Sequence, residues 1–334
     1  EEFDFTVYSV SSHTNEKSGT YKDYKQIVFH GIGKGGLNTL VYYIKCLFHC
    51  LFKRYDIIHL HHSESGFITP FLKLKYKVIV TFHGVYRDEY IDPKFSKLVN
   101  WFFKLSQFLN VKLAETVVSV SLPDKEYLSK KYNRNCLYIP NGITPMTSDK
   151  ELKSDSEDYI LFAAARIYQI KGLHLLLIAM REKRITLKLK IAGDISQVGE
   201  YTKEIERLGS GLNIEYLGLI KDKSVLMKLV RDAKCFVFPS LTEAMSMMLL
   251  EVASVKTPII ASDIPSNKAV FSNDEVTFFE SNDSESLATR INYVLQHYDD
   301  ALVKAEKAFY KLSDNYTWQK ISSQYREQYN KLIN

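Results

Sequence analysis

The chain has 334 residues, a length that favours two domains over one. With 46% apolar and 25% charged residues, 14 Gly and 8 Pro, its composition is that of an ordinary globular protein and excludes collagen-like, low-complexity and disordered classes. The formal charge of +5 is uneven: residues 1–144 carry 19 Lys+Arg against 13 Asp+Glu and the remainder 25 against 26, a basic excess in the first half too mild to argue for nucleic acid.

The opening Glu1-Glu2-Phe3-Asp4 lacks the basic and apolar regions of a secretory signal, and no later run reaches the roughly 18 apolar residues of a membrane span. The expectation is therefore a cytoplasmic protein. Cys46, Cys50, Cys136 and Cys235 include no Cys-x-x-Cys and no disulfide or zinc spacing, so they are expected to be reduced, mostly buried thiols. The chain enters directly on a charged strand with no initiating Met and no Gly-rich turn before it, from which the first sheet is expected to lack an opening βα unit.

Short β-branched runs alternate with longer helical patterns, the signal of βα units around parallel sheets. In the first half, strands are predicted at Phe5–Val10, Gln26–His30, Asp56–His61, Lys77–Phe82 and Thr116–Val120, with helices over Asn38–Phe52 and Pro93–Leu113. In the second helix Phe95, Leu98, Phe102, Leu105 and Leu109 form one stripe, expected to pack in a core. Trp101, Phe103 and Phe108 fall outside it beside Lys94, Lys97 and Lys104, as in a helix lying on an anionic lipid surface. The polar stretch Thr147–Asp158 marks a boundary. Domains are thus expected over 1–146 and 147–316, with a C-terminal helix over 317–334 crossing back to the first. Beyond the boundary, strands are predicted at Tyr159–Ala164, Leu187–Ala192, Ile214–Leu217, Cys235–Pro239 and Pro258–Ala261, and Glu285–Asn334 is purely helical.

Ligands of open α/β sheets sit beyond the carboxyl ends of strands. Phe236-Val237-Phe238-Pro239-Ser240 leads into Leu241-Thr242-Glu243-Ala244-Met245-Ser246-Met247 and a helix containing Glu251. Backbone N–H groups around Ala244, Met245, Ser246 and Met247 would form a phosphate-binding helix end, with Glu243 and Glu251 accepting from sugar and ribose hydroxyls. The same residues also read as a dipole-favoured Glu and a solvated one. Arg166 and Lys171 flank a loop ending in Gly172, which suits two cations converging on a diphosphate, or two solvated bases at a turn. His59 and His61 share a strand face, and without a third ligand placed by sequence they do not make a metal site. His61, Ser63 and Glu64 lie past that strand's end, where an acceptor could touch them.

Six features occur in one order: Tyr55-Asp56-Ile57-Ile58-His59-Leu60-His61, Phe82-His83-Gly84, Ile139-Pro140-Asn141-Gly142-Ile143, the Ala165-Arg166 to Lys171-Gly172 block, the Glu243/Glu251 pair after Phe-Pro-Ser, and Tyr316-Thr317-Trp318. Together they resemble glycosyltransferase family 4 from about residue 4 onward. The resemblance implies an α/β, GT-B fold: two Rossmann-like doubly wound domains facing a cleft, with C-terminal helices. It implies retaining transfer of a sugar from a nucleotide-diphosphate sugar to a glycan or lipid-linked acceptor, without a required metal or other cofactor. By motif, Glu243 would hold donor-sugar hydroxyls, Glu251 the ribose, Arg166 and Lys171 the diphosphate, and His83 the sugar from the first domain. The chain has Glu243-Ala244-Met245-Ser246 where the family more often has Glu-Gly-Phe-Gly. The pathway this points to is bacterial surface polysaccharide, O-antigen or capsule, at the inner face of the membrane, with a deoxysugar such as rhamnose as a refinement. Rival readings are a GT-B nucleotide-sugar epimerase and a non-catalytic nucleotide-sugar-binding subunit.

Overall fold

A computed structural model describes residues 3–14, 17–21, 23–32, 36–87, 96–145, 158–196 and 198–334. The chain forms two compact units: one of residues 1–119, 125–137 and 327–334, the other of residues 120–124 and 138–326. The polar boundary segment lies outside the described residues except for Asp158.

In the first unit β1 (Phe5–Val10) pairs in parallel with β3 (Tyr24–Phe29), which carries the antiparallel β2 (Gly19–Tyr21) on its other edge. A second sheet holds β4 (Ile57–His61), β5 (Lys77–Phe82) and β6 (Thr116–Ser119) in parallel, extended by the two-residue β7 (Leu137–Tyr138). Residues Val78 to Phe82 of the central β5 are all buried, as expected of a parallel strand covered on both faces. Their partners include Leu60, Val111, Val117 and Leu128. All four cysteines are buried and form no disulfide.

The helix Lys97–Leu113 departs from its predicted packing. It starts at Lys97 behind Ser96, whose hydroxyl accepts from the Val99 N–H, while Phe95 lies outside the described residues. Its buried residues are Asn100, Ser106, Gln107, Asn110 and Val111, whereas Leu98, expected in the core, is 73% exposed; Trp101, expected outside it, is 59% exposed. The inward face is polar because it meets backbone. Asn110 donates to Ser65 Oγ at 3.1 Å and to the His62 carbonyl at 3.3 Å, and Thr69 Oγ1 donates to Asn110 Oδ1 at 2.6 Å. Gln107 accepts from the Tyr86 N–H at 2.8 Å and donates to the Tyr86 carbonyl at 3.1 Å. A turn at Ser63–Ile68 runs so close that a Cβ on Gly66 would fall 1.7 Å from the Ser106 carbonyl oxygen.

The second unit holds one six-stranded sheet: β8 (Tyr159–Arg166), β9 (Lys188–Asp194), β10 (Ile214–Gly218), β11 (Cys235–Phe238), β12 (Ile259–Ser262) and β13 (Thr277–Phe279). All pair in parallel in the order β10-β9-β8-β11-β12-β13. Alternate residues serve opposite faces: Leu161 and Phe236 pack with Leu249, Phe271 and Leu312, while Ile160, Phe162 and Val237 pack with Leu176, Ile191 and Ile291. Strand order reverses between β8 and β11, which is the topological switch point of a doubly wound sheet. Helices Ser284–Gln296, Tyr298–Asn315 and Trp318–Ile333 close the chain.

Candidate active site

Beyond the carboxyl ends of β8 and β11 lies a cavity of about 330 Å³, lined among others by Ala165, Arg166, Tyr168, Lys171, Ser240 and Ser246. Two loops build it. The first leaves β8 through Arg166, forms a short turn at Gln169–Lys171 and reaches Gly172 at φ 71° before the helix Leu173–Glu182. A Cβ on Gly172 would sit 1.9 Å from the Pro239 carbonyl oxygen, so only glycine fits both the backbone angle and the space. The second loop leaves β11 through Pro239, and its Leu241 N–H donates to the Ile170 carbonyl at 2.8 Å. Glycine contact and hydrogen bond lock the loops together.

That locking brings Lys171 and Glu243 into an ion pair at 2.6 Å, both largely shielded from solvent. Arg166 is exposed at the cavity wall, with its guanidinium 5.8 Å from the Tyr168 ring centre. The helix after Glu243 begins at Met247, with Ser246 as its cap accepting from the Leu249 N–H at 3.3 Å. Ala244 and Met245 therefore precede the helix. Met245 is buried, and its sulfur accepts from the Asn141 N–H at 3.2 Å, which ties the Pro-Asn-Gly segment to the Glu243 loop. Glu251, inside the helix, pairs with Lys223 at 2.7 Å. Lys223 was not singled out in the sequence, where 28 residues separate it from Glu251. Ser240 and Tyr168 were also missed, although both lie in the loops that the strand-end rule marks.

A further link joins two segments far apart in sequence. The Ile143 N–H donates to the Tyr316 carbonyl at 2.7 Å, and the Trp318 N–H to the Ile143 carbonyl at 3.2 Å. Gly142 lies under the Trp318 ring, where a Cβ would meet ring atoms at 2.6 Å.

In the first unit, His83 follows β5 and is half-buried. Its Nε2 lies 3.1 Å from His61 Nδ1, and the His61 ring stacks in turn on His59 with centroids 4.4 Å apart. His59 is anchored by the Tyr329 hydroxyl at 2.7 Å and by Thr81 Oγ1 at 2.8 Å. His62, at φ 67°, brings its ring within 5.0 Å of His83. Burial, and then the neighbouring imidazoles, push His61 and His83 each down to about 4 and hold His59 well below the ordinary imidazole range. These rings are neutral at pH 7, donors and acceptors rather than charges. Among the described residues no group of three or more His, Cys, Asp or Glu is arranged to hold a metal ion.

Two family models match this sequence: "Glycosyltransferase Family 4" over residues 2–146 and "Glycosyl transferases group 1" over residues 146–311. They adjoin, and together they cover most of the chain. The chain belongs to the family 4 glycosyltransferases. As a glycosyltransferase it resembles an uncharacterized glycosyltransferase of Methanocaldococcus jannaschii, at 24% identity over 302 residues, covering 81% of this chain and 74% of that protein. It also resembles the UDP-Gal:alpha-D-GlcNAc-diphosphoundecaprenol alpha-1,3-galactosyltransferase of Escherichia coli, at 23% identity, covering 75% and 68%. Among solved structures, sucrose-phosphate synthase from Thermosynechococcus elongatus superposes with a TM-score of 0.81 at 18% identity, over 98% of this chain and 88% of that one. Anabaena HepE in complex with UDP and glucose gives 0.76 at 17%, over 92% and 86%. The fold of this glycosyltransferase is GT-B, as the motifs imply. Within it, the altered Glu-Ala-Met-Ser loop has a physical account: Met245 supplies the buried apolar side chain, and Ser246 supplies a hydroxyl cap where the usual glycine would have none.

Proposed function

We propose that this glycosyltransferase moves a sugar, with retention of configuration, from a nucleotide-diphosphate sugar to a hydroxyl of a glycan or lipid-linked acceptor in bacterial surface-polysaccharide synthesis. The observation that carries the reading is the cavity at the switch point, with Arg166 and Lys171 on its wall and Glu243 paired to Lys171. The leaving group is a diphosphate whose negative charge grows as the glycosidic bond breaks, and fixed cations lower the energy of that developing charge. Arg166 and Lys171 are proposed to supply those cations, so the reaction needs no metal. The Glu243 pairing holds the Lys171 ammonium at the cavity before a donor arrives and leaves the second carboxylate oxygen to accept from sugar hydroxyls. Glu251 is assigned to the ribose and His83 to the sugar, following the motif. The work place proposed is the cytoplasmic face of the membrane, where a lipid-linked acceptor is reached. Among the described residues no helix is long and apolar enough to cross a membrane.

The test is a thermal-shift titration with UDP, GDP, dTDP, ADP and their sugar conjugates, because a ligand bound only by the native state raises its apparent stability. A shift selective for one base, lost in Arg166→Ala and reduced in Glu251→Ala, is expected. A shift unchanged in Arg166→Ala would remove the diphosphate assignment.

A further inference from the structure

The exposed outer faces of three helices in the first unit are apolar, and these helices are neighbours: Gly36–Leu51, Thr69–Leu72 and Lys97–Leu113. On the first, Leu37, Ile44, Phe48 and Leu51 recur at helical spacing and are all exposed, Phe48 by 59%. The chain then leaves the helix through Phe52, 84% exposed. On the second, Phe71 and the following Leu74 point outward, and on the third Leu98 and Trp101 do. Single exposed apolar residues are ordinary, but a row of them across adjoining helices marks a binding surface. On the third helix Asn100, Ser106, Gln107 and Asn110 are buried while Leu98, Trp101 and Phe108 are exposed.

Charge decides what the surface fits. Residues 36–54, 69–77 and 96–113 contain three Lys or Arg each and no Asp or Glu. Lys53, Arg54 and Lys97 are exposed beside the apolar residues, and Lys75 reaches back to the Leu51 and Lys53 carbonyls at 2.8 and 2.7 Å, fixing the end of the first helix. Glu115 pairs with Lys73 and neutralises that one cation. Apolar side chains flanked by cations, with aromatic residues among them, are what an anionic bilayer takes up: the rings and Leu side chains enter the boundary with the acyl chains while the amines meet phosphates. The border is mainly basic, with Asp56 exposed two residues past Arg54, and that cationic excess is what an anionic surface selects.

We propose that this three-helix face of the first unit docks on the surface of an anionic lipid bilayer. This widens the single-helix expectation from the sequence: the main apolar stripe is on Gly36–Leu51, and Lys97–Leu113 supplies the flank. The proposal deepens the reading of a membrane-held acceptor, and its test uses neither donor nor acceptor, so failed transfer and failed docking are separate results. The full chain is floated with vesicles of phosphatidylglycerol and phosphatidylethanolamine, and with vesicles of phosphatidylcholine alone. It is expected to rise with the first and stay below with the second, and to release as ionic strength rises. The triple variant Phe48→Ser, Phe52→Ser, Leu74→Ser should weaken binding by about tenfold or more, and Lys53→Glu with Arg54→Glu should do likewise. All three positions are already in solvent, so unchanged melting curves will show that the fold is kept. Parent protein that stays below with both vesicles would overturn the proposal. So would equal flotation of the triple variant, or concentration-dependent dimers that the triple variant abolishes without any lipid binding.

Discussion

The neutral imidazoles of the first unit set a pH dependence. His61 and His83 fall to about 4, against an ordinary value of 6.5 in the unfolded chain, so between those pH values the unfolded chain binds protons that the folded one excludes. Stability from this source is complete above pH 6.5 and is lost as pH falls toward 4. The urea midpoint of the parent is expected to drop on acidification through that window, and His61→Gln, which keeps a hydrogen-bonding side chain but does not titrate, should flatten the drop. An unchanged slope would show that these rings carry their ordinary protons. Little of this was readable beforehand. Alternation placed His59 and His61 on one face, but the contact of His61 with His83, 22 residues on, depends on strand pairing. The same holds for Lys171 and Glu243, 72 residues apart: each was legible as a site residue through its motif, and their pairing was not.

At the scale of elements, periodicity found what was long enough to repeat. Phe5–Val10 and Lys77–Phe82 begin and end where β-branched alternation puts them, while β2, β7 and β13, of two or three residues each, are too short to show any alternation. For Lys97–Leu113 the expected stripe was only partly right: Phe102 packs on Phe67 while Leu98 is 73% exposed, because a 3.6-residue repeat names a face without saying how deeply each position is buried. The true inward face is fixed by Asn110, which satisfies Thr69, Ser65 and the His62 carbonyl at once. Asn110→Leu, of similar size, is expected to cost about 2–4 kcal/mol by stranding those buried groups. Chemical denaturation would measure it, and a cost below about 1 kcal/mol would mean that the polar face is not what seats the helix.

Across the whole molecule, the division into two βα units was legible from the restart of alternation, whereas the sheet order of the second unit was not, because right-handed crossovers fix the hand of each connection and not which strands are neighbours. The last helix was expected to cross back to the first domain, but which of its residues serve which unit was not readable: Trp318 covers Gly142 in the second unit, whereas Tyr329 reaches His59 and the rings of Phe3 and Phe5 in the first. Removing residues 327–334 should therefore raise amide exchange in β4 and β5 while β8 and β11 keep their protection. Equal loss in both sheets, or in neither, would contradict that assignment.

The Tyr329–His59 hydrogen bond joins partners 270 residues apart. During synthesis at ordinary ribosomal speeds, the strand bearing His59 waits roughly 15 to 50 s for its tyrosine. Residues 327–334, which belong to the first unit, are made after every residue of the second. Until those residues are made, His59 and the rings of Phe3 and Phe5 lack the partner that Tyr329 gives them.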